Sequence, residues 1–200
     1  MDAVGLIAGA GWASGLNLYL LTLVLGMAGR FGWSDVPDAL KRTDVLIAVA
    51  VLFFVEFAAD KIPYLDNLWD VLHTVVRPLG AAALGYVIAG DSESVGQAVG
   101  ALVAGALATT SHAAKATTRA AVNASPEPVS NVTLSVLEDG VASGMTVLAL
   151  ALPVVALVMA LSLAVASLWL GAKLWKAFGR LLAKRRERAE SAGGGRRPGG

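Results

Sequence analysis

Residues 56–77 read EFAADKIPYLDNLWDVLHTVVR and set seven ionisable side chains (Glu56, Asp60, Lys61, Asp66, Asp70, His73 and Arg77) between two apolar segments that read as membrane spans. On a helix that begins after Pro63, Asp66, Asp70, His73 and Arg77 fall at steps of four, three and four, which is one continuous face. Glu56 and Asp60 are likewise i and i+4 at the end of the preceding apolar run. A charge facing lipid near the bilayer centre costs about 3 kcal/mol or more, so such groups turn toward a protein interior or a water-filled cavity. The stretch therefore predicts helices packed around a polar centre, and the stripe is expected to line a wet cavity.

Composition points the same way. The chain has 200 residues, 56% of them hydrophobic and 16% charged, with a mean hydropathy of +0.66, whereas a soluble domain carries about 25% charged residues. This predicts an integral membrane protein. There is no cysteine, which excludes disulfides, thiolate metal sites and cysteine nucleophiles. The net charge of +1 conceals an asymmetry, because nine of the sixteen Lys and Arg lie in the last 28 residues. Nothing in this balance calls for nucleic acid as a partner. The first residues include Asp2 and no basic cluster, so they read as a span and not a cleaved signal.

In chain order, Ala3 to Gly29 is uncharged for 27 residues and forms a first span. Its segment GAGWASGLN carries Ser14 and Asn17 among glycines. Close helix packing through small residues is the simpler account; the sharper one is a broken helix whose freed backbone groups line a site. Asp44 to Lys61 is a second span, and Pro78 to Gly90 completes a third after the polar turns. From Val95 a long helix starts apolar and turns polar, placing His112, Lys115, Arg119 and Asn123 on one face. Prolines 126 and 128 end it. A fifth span follows, and Pro153 separates it from a sixth at Val154 to Lys173, because the 33 uncharged residues from Gly140 exceed one crossing.

The expected fold is all-α: a polytopic membrane domain at residues 1–180 with about six transmembrane helices and two polar half-helices at the cytoplasmic face. Residues 181–200 are a basic, Gly-rich tail, largely disordered, suited to the headgroups of anionic lipids. Trp169 and Trp175 suit the headgroup level. By the positive-inside rule the C-terminus is cytoplasmic, and six crossings return the N-terminus to the same side. Arg30, Lys41 and Arg42 fall on the opposite side and count against that orientation. The sequons at Asn123 and Asn131 would be cytoplasmic and are discounted.

A hairpin repeat is suggested by sliding the chain 65 positions, which pairs Pro63 with Pro128, Asp66 with Asn131, Val71 with Val136, Leu72 with Leu137 and His73 with Glu138. Just upstream, FAAD ending at Asp60 lies over HAAK ending at Lys115. Two such copies would set Asp60 opposite Lys115 across a pseudo-symmetry axis.

The runs VEFAADKIPYLDNLWDVLHTVVRP, SHAAKATTRAAVNASPEPVSN and SVLED, with GLNLYL near the start, resemble the bacterial membrane proteins grouped as domain of unknown function 4126. The resemblance spans roughly residues 10 to 155, and its NASPEP and ADKIP segments are distinctive. It implies a compact polytopic domain in the bacterial inner membrane and brings no activity with it. Glu56 to Lys61 is also loosely similar to the Glu-x-Gly-Asp-Lys motif of cation and proton exchangers, though it has an extra residue between the acids and lacks the Gly.

The polar regions 56–77 and 112–139 hold seven carboxylates, four Lys or Arg and both histidines. Opposite charges in a low-dielectric space must pair, so Asp60 with Lys115, and Asp66 or Asp70 with Arg119, are expected clamps between helices. The surplus acid and the histidines suit the handling of cations or protons. The candidate pathway comprises Glu56, Asp60, Asp66, Asp70, His73, Arg77, His112, Lys115, Arg119, Asn123, Glu138 and Asp139. His73 and His112 with Asp70, Glu56 or Asp60 could offer metal ligands, but no His-x-x-x-His or Glu-x-x-His spacing presents them together, so neither a metal nor another cofactor is expected. No nucleophile elbow, phosphate loop or zincin motif marks an enzyme. The expectation is a small transporter or channel for a cation, proton or small charged solute, monomeric or as a homo-oligomer; the alternative is a membrane scaffold or assembly factor whose buried charges are structural ion pairs.

Overall fold

The computed structural model describes residues 3–62, 65–90, 92–123 and 128–193, with side chains left undescribed at 121, 123, 128, 174, 175 and 177–193. Among the described residues there are seven helices and no strand: α1 (Ala3–Arg30), α2 (Asp38–Lys41), α3 (Thr43–Ala59), α4 (Leu65–Ala89), α5 (Ser94–Asn123), α6 (Pro128–Ala151) and α7 (Pro153–Gly193). Residues 124–127, with the first of the two prolines expected to end α5, lie outside the described residues, as does the side chain of Trp175. The basic segment 181–193 continues α7.

Among the described residues four helices, fewer than the six expected, are long and apolar enough to cross a membrane: Ala3–Arg30, Leu65–Ala89, Val129–Ala151 and Pro153–Lys173. The difference has a physical origin. Helix α3 has 17 residues and so measures about 26 Å, short of a hydrocarbon core of about 30 Å. Helix α5 is long, but its second half carries His112, Lys115 and Arg119. The polar turns expected as separate half-helices are continuous with their apolar neighbours, for α4 runs unbroken from Asp66 through Pro78 to Ala89.

Helix α1 is the centre of the molecule, and α3, α4, α5, α6 and α7 all pack on it. Its most apolar window is 83% buried, against 17–33% for the other three spanning candidates. A helix that is apolar all round belongs inside, and α1 has no charge before its last residue. Small residues let its neighbours close in. A Cβ on Gly11 would stand 2.6 Å from Ala104 Cα, and one on Gly15 only 1.9 Å from Ser111 Oγ and 2.2 Å from the Ala108 carbonyl oxygen. Gly15→Ala should therefore lower the unfolding midpoint strongly, because backbone must shift, at a cost of about 1–3 kcal/mol or more. Gly144→Ala, with nothing within 4 Å of the new methyl, should leave stability unchanged or raise it by up to about 1 kcal/mol; thermal melts of the two variants make the comparison.

The outer faces are apolar. Leu68, Val71, Val75 and Leu79 of α4 are all exposed, while Asp66, Asp70, His73 and Arg77 on the opposite face of that helix are buried. Interior positions of α4 at Asp66, Asp70, His73, Arg77, Ala81 and Leu84 recur 65 residues on in α6, at Asn131, Ser135, Glu138, Ala142, Thr146 and Ala149, all buried.

Candidate functional site

Near its middle α1 breaks. Asn17 has φ −151° and ψ 99°, outside the helical region, so the carbonyls just before it lose their partners in the next turn. Both features read from the segment are present: its Gly11 and Gly15 pack closely on α5, and the helix is broken at Asn17. Asn17 Oδ1 accepts from the Leu20 N–H at 2.9 Å and so caps the second half of the helix, while its Nδ2 donates to Asp139 Oδ1 at 2.9 Å. The released oxygens face α4 and α5: Arg77 Nη1 donates to the Gly15 carbonyl at 2.9 Å and Lys115 Nζ to the Leu16 carbonyl at 3.1 Å. The negative end of the first half-helix thus meets two cations, as the dipole favours.

Those cations knit the remaining helices together. Lys115 Nζ donates to Asp60 Oδ2 at 2.9 Å and lies 3.5 Å from Glu138 and 3.8 Å from Glu56. Arg119 donates to the Asp60 backbone carbonyl at 2.8 Å and to Asp60 Oδ2 at 3.2 Å, pairs with Glu138, and stands 3.6 Å from Asp66. Arg77 donates to Glu56 and lies 3.7 Å from Asp70. The expected Asp60–Lys115 clamp is present, and of the two acids proposed for Arg119 it is Asp66 that approaches it.

Both histidines are held through both ring nitrogens. Arg77 can only donate, so His112 Nδ1 accepts from Nη1 at 2.9 Å, and its Nε2 proton goes to the Asp70 backbone carbonyl at 3.1 Å. In His73, Nδ1 donates to the Trp69 carbonyl at 2.8 Å, and Nε2 pairs with the Tyr19 hydroxyl at 3.2 Å.

Nine of the candidate residues, Glu56, Asp60, Asp66, Asp70, Arg77, His112, Lys115, Arg119 and Glu138, therefore form one connected cluster, while Asp139 is held by Asn17 at the break and His73 by the Trp69 carbonyl and the Tyr19 hydroxyl. The side chain of Asn123 lies outside the described residues. Asn17 and Tyr19, which hold Asp139 and His73, are not among the candidate residues, although Asn17 stands out as a polar residue in an uncharged, Gly-rich span. The expectation of a wet cavity is corrected: Asp66, His73 and Arg77 are wholly buried and Asp70 is 5% exposed, because acids and bases from the facing helices fill the space opposite the stripe. Two apolar grooves lie elsewhere, one of about 770 Å³ between α5 and α7 and one of about 500 Å³ beside Met27 and Trp33.

Charge within the cluster does not balance. Five buried carboxylates (Glu56, Asp60, Asp66, Asp70 and Glu138) face three buried cations (Arg77, Lys115 and Arg119). Glu56 Oε2, Asp60 Oδ1, both Asp70 carboxylate oxygens and Asp139 Oδ2 have no hydrogen-bond partner among the described residues. Among those residues no three His, Asp or Glu side chains are grouped to hold a metal ion.

The fold and the cluster define an all-helical protein with four helices fit to cross a membrane, folded around a buried network of ion pairs. The chain belongs to the family described as Domain of unknown function (DUF4126), whose model matches residues 4–173. No curated protein and no solved structure matches it.

Proposed function

We propose that this chain is an integral membrane protein of the bacterial inner membrane that moves a cation, a proton or a small charged solute through its polar core. One observation carries the reading. Five buried carboxylates stand against three buried cations, and several of their oxygens are unpartnered. An uncompensated charge in a low-dielectric interior is costly by several kcal/mol, so the surplus acid is a standing demand for a mobile positive charge. The break in α1 supports the same reading, since an interrupted helix with freed carbonyls is tolerated at membrane depth where it lines a binding site. The test is flux: the purified protein in liposomes should dissipate an imposed proton or cation gradient faster than empty liposomes, and absence of flux for every common ion would remove the proposal.

A scaffold or assembly factor is the second reading, favoured by the closure of the cluster, in which Arg77 and Arg119 are fully buried and each meets several acceptors. A scaffold tolerates replacement of its ion pairs by apolar residues of similar volume; a transporter does not.

In the topology we propose, α1, α3, α4, α5, α6 and α7 all cross, with α3–α4 and α5–α6 as two copies of one hairpin. Both ends are then cytoplasmic, with the basic tail on anionic headgroups. A reporter fused after Ala189 should be cytoplasmic and one inserted near Asp38 exported. Finding both on one side would overturn six crossings.

A further inference from the structure

We propose that the oxygens around Lys115 Nζ form a binding site for a small monovalent cation, and that the Lys115 ammonium occupies it in the conformation described. The cage draws on four parts of the fold: the Leu16 carbonyl at the break in α1, Glu56 near the end of α3, Asp60 just beyond it, and Glu138 on α6, at 3.1, 3.8, 2.9 and 3.5 Å from the nitrogen. Lys115 is 3% exposed, so no bulk water shares these contacts. An ammonium has three protons to give, and the cage offers more oxygen than they use, because Glu56 Oε2 and Asp60 Oδ1 remain without a hydrogen-bond partner.

The valence follows from the occupant. Glu56 is also paired with Arg77, and Asp60 and Glu138 with Arg119, so these guanidiniums stay when the ammonium leaves. One monovalent ion then restores the charge that Lys115 supplied, whereas a divalent ion adds one positive charge beyond it. Oxygen-only coordination, with a backbone carbonyl at the negative end of a half-helix, suits sodium, potassium or ammonium. Lysine, a compact charge on a flexible four-carbon stem, can leave without dismantling the cage. Its role in transport rests on the reading above, with Lys115 and the travelling cation alternating in one site; cation binding itself is read without flux.

The experiment uses the full chain purified in detergent, with unfolding midpoints measured in choline, ammonium, sodium, potassium and magnesium chlorides at equal ionic strength. Lys115→Ala should gain about 5 °C when choline is replaced by the ammonium or alkali ion that fits, while the wild type, its cage filled, stays unchanged. The gain should vanish in Lys115→Ala combined with Asp60→Asn. Ammonium alone giving the gain would identify an alkylammonium-like site, and sodium or potassium alone an alkali site. Equal midpoints in choline and in the small cations would overturn the proposal, as would a gain confined to magnesium. Lys115→Gln, shorter and uncharged, serves the same comparison if the alanine variant does not survive purification. A cation-specific shift without flux would contradict transport and leave the site standing; flux without the shift would do the reverse.

Discussion

Asp60→Ala is expected to cost about 3–5 kcal/mol of stability, and adding Lys115→Ala to it should recover a large part of that loss. Both side chains are almost wholly buried and meet at 2.9 Å. Removing the acid alone leaves the Lys115 ammonium with Glu138 and Glu56 at 3.5 and 3.8 Å as its nearest carboxylates, and an under-compensated buried charge carries a penalty of that size. Removing both takes away one charge of each sign and returns the cluster to its native net charge. Recovery is incomplete, because Asp60 also accepts from Arg119 through Oδ2 and through its backbone carbonyl, and only the first of these is lost with the side chain. The coupling energy from a double-mutant cycle should lie at about 1–3 kcal/mol. Strictly additive losses would contradict the contact.

The second large effect is expected at Arg77, which is fully buried and joins three elements by donating to the Gly15 carbonyl, to His112 Nδ1 and to Glu56. Arg77→Met keeps an apolar stem but leaves Glu56 with only Lys115, at 3.8 Å, as a cationic neighbour; a loss of about 3–5 kcal/mol should follow. Arg77→Lys should recover less than half of it. The guanidinium presents a planar fork to three acceptors in fixed directions, and a single ammonium on a shorter reach cannot span them. Unfolding midpoints and yields of the two variants read this directly, and an Arg77→Lys protein as stable as the wild type would show that charge alone, not the fork, holds α1 to α4.

Much of the cluster was legible because helical periodicity is a strong local signal. The steps of four, three and four from Asp66 to Arg77 fixed one face, the spacing of His112, Lys115 and Arg119 fixed another, and burial agrees with both. The pairing of Asp60 with Lys115 came from sliding two segments over each other. Periodicity says which residues share a face and not what stands opposite it, so the stripe was expected to face water when it faces acids and bases from other helices. Asn17 illustrates a second limit. Gly-rich sequence around a lone amide fits close packing as well as a break, and the break is stabilised by Arg77 and Lys115, partners 62 and 99 residues from the Gly15 and Leu16 carbonyls that they hold. Length and composition single out four spanning helices and leave α3 aside, because its 17 residues fall at the margin of a bilayer's thickness.

The most direct measurement of the central claim compares flux with stability in one variant. Asp60→Ala with Lys115→Ala, reconstituted in liposomes beside the wild type, should remain folded yet carry no cation or proton current, because the carboxylate serves the mobile charge as well as the clamp. A folded double variant with wild-type flux would contradict the account, and so would a wild-type protein that carries no current while the double variant sustains its cellular role.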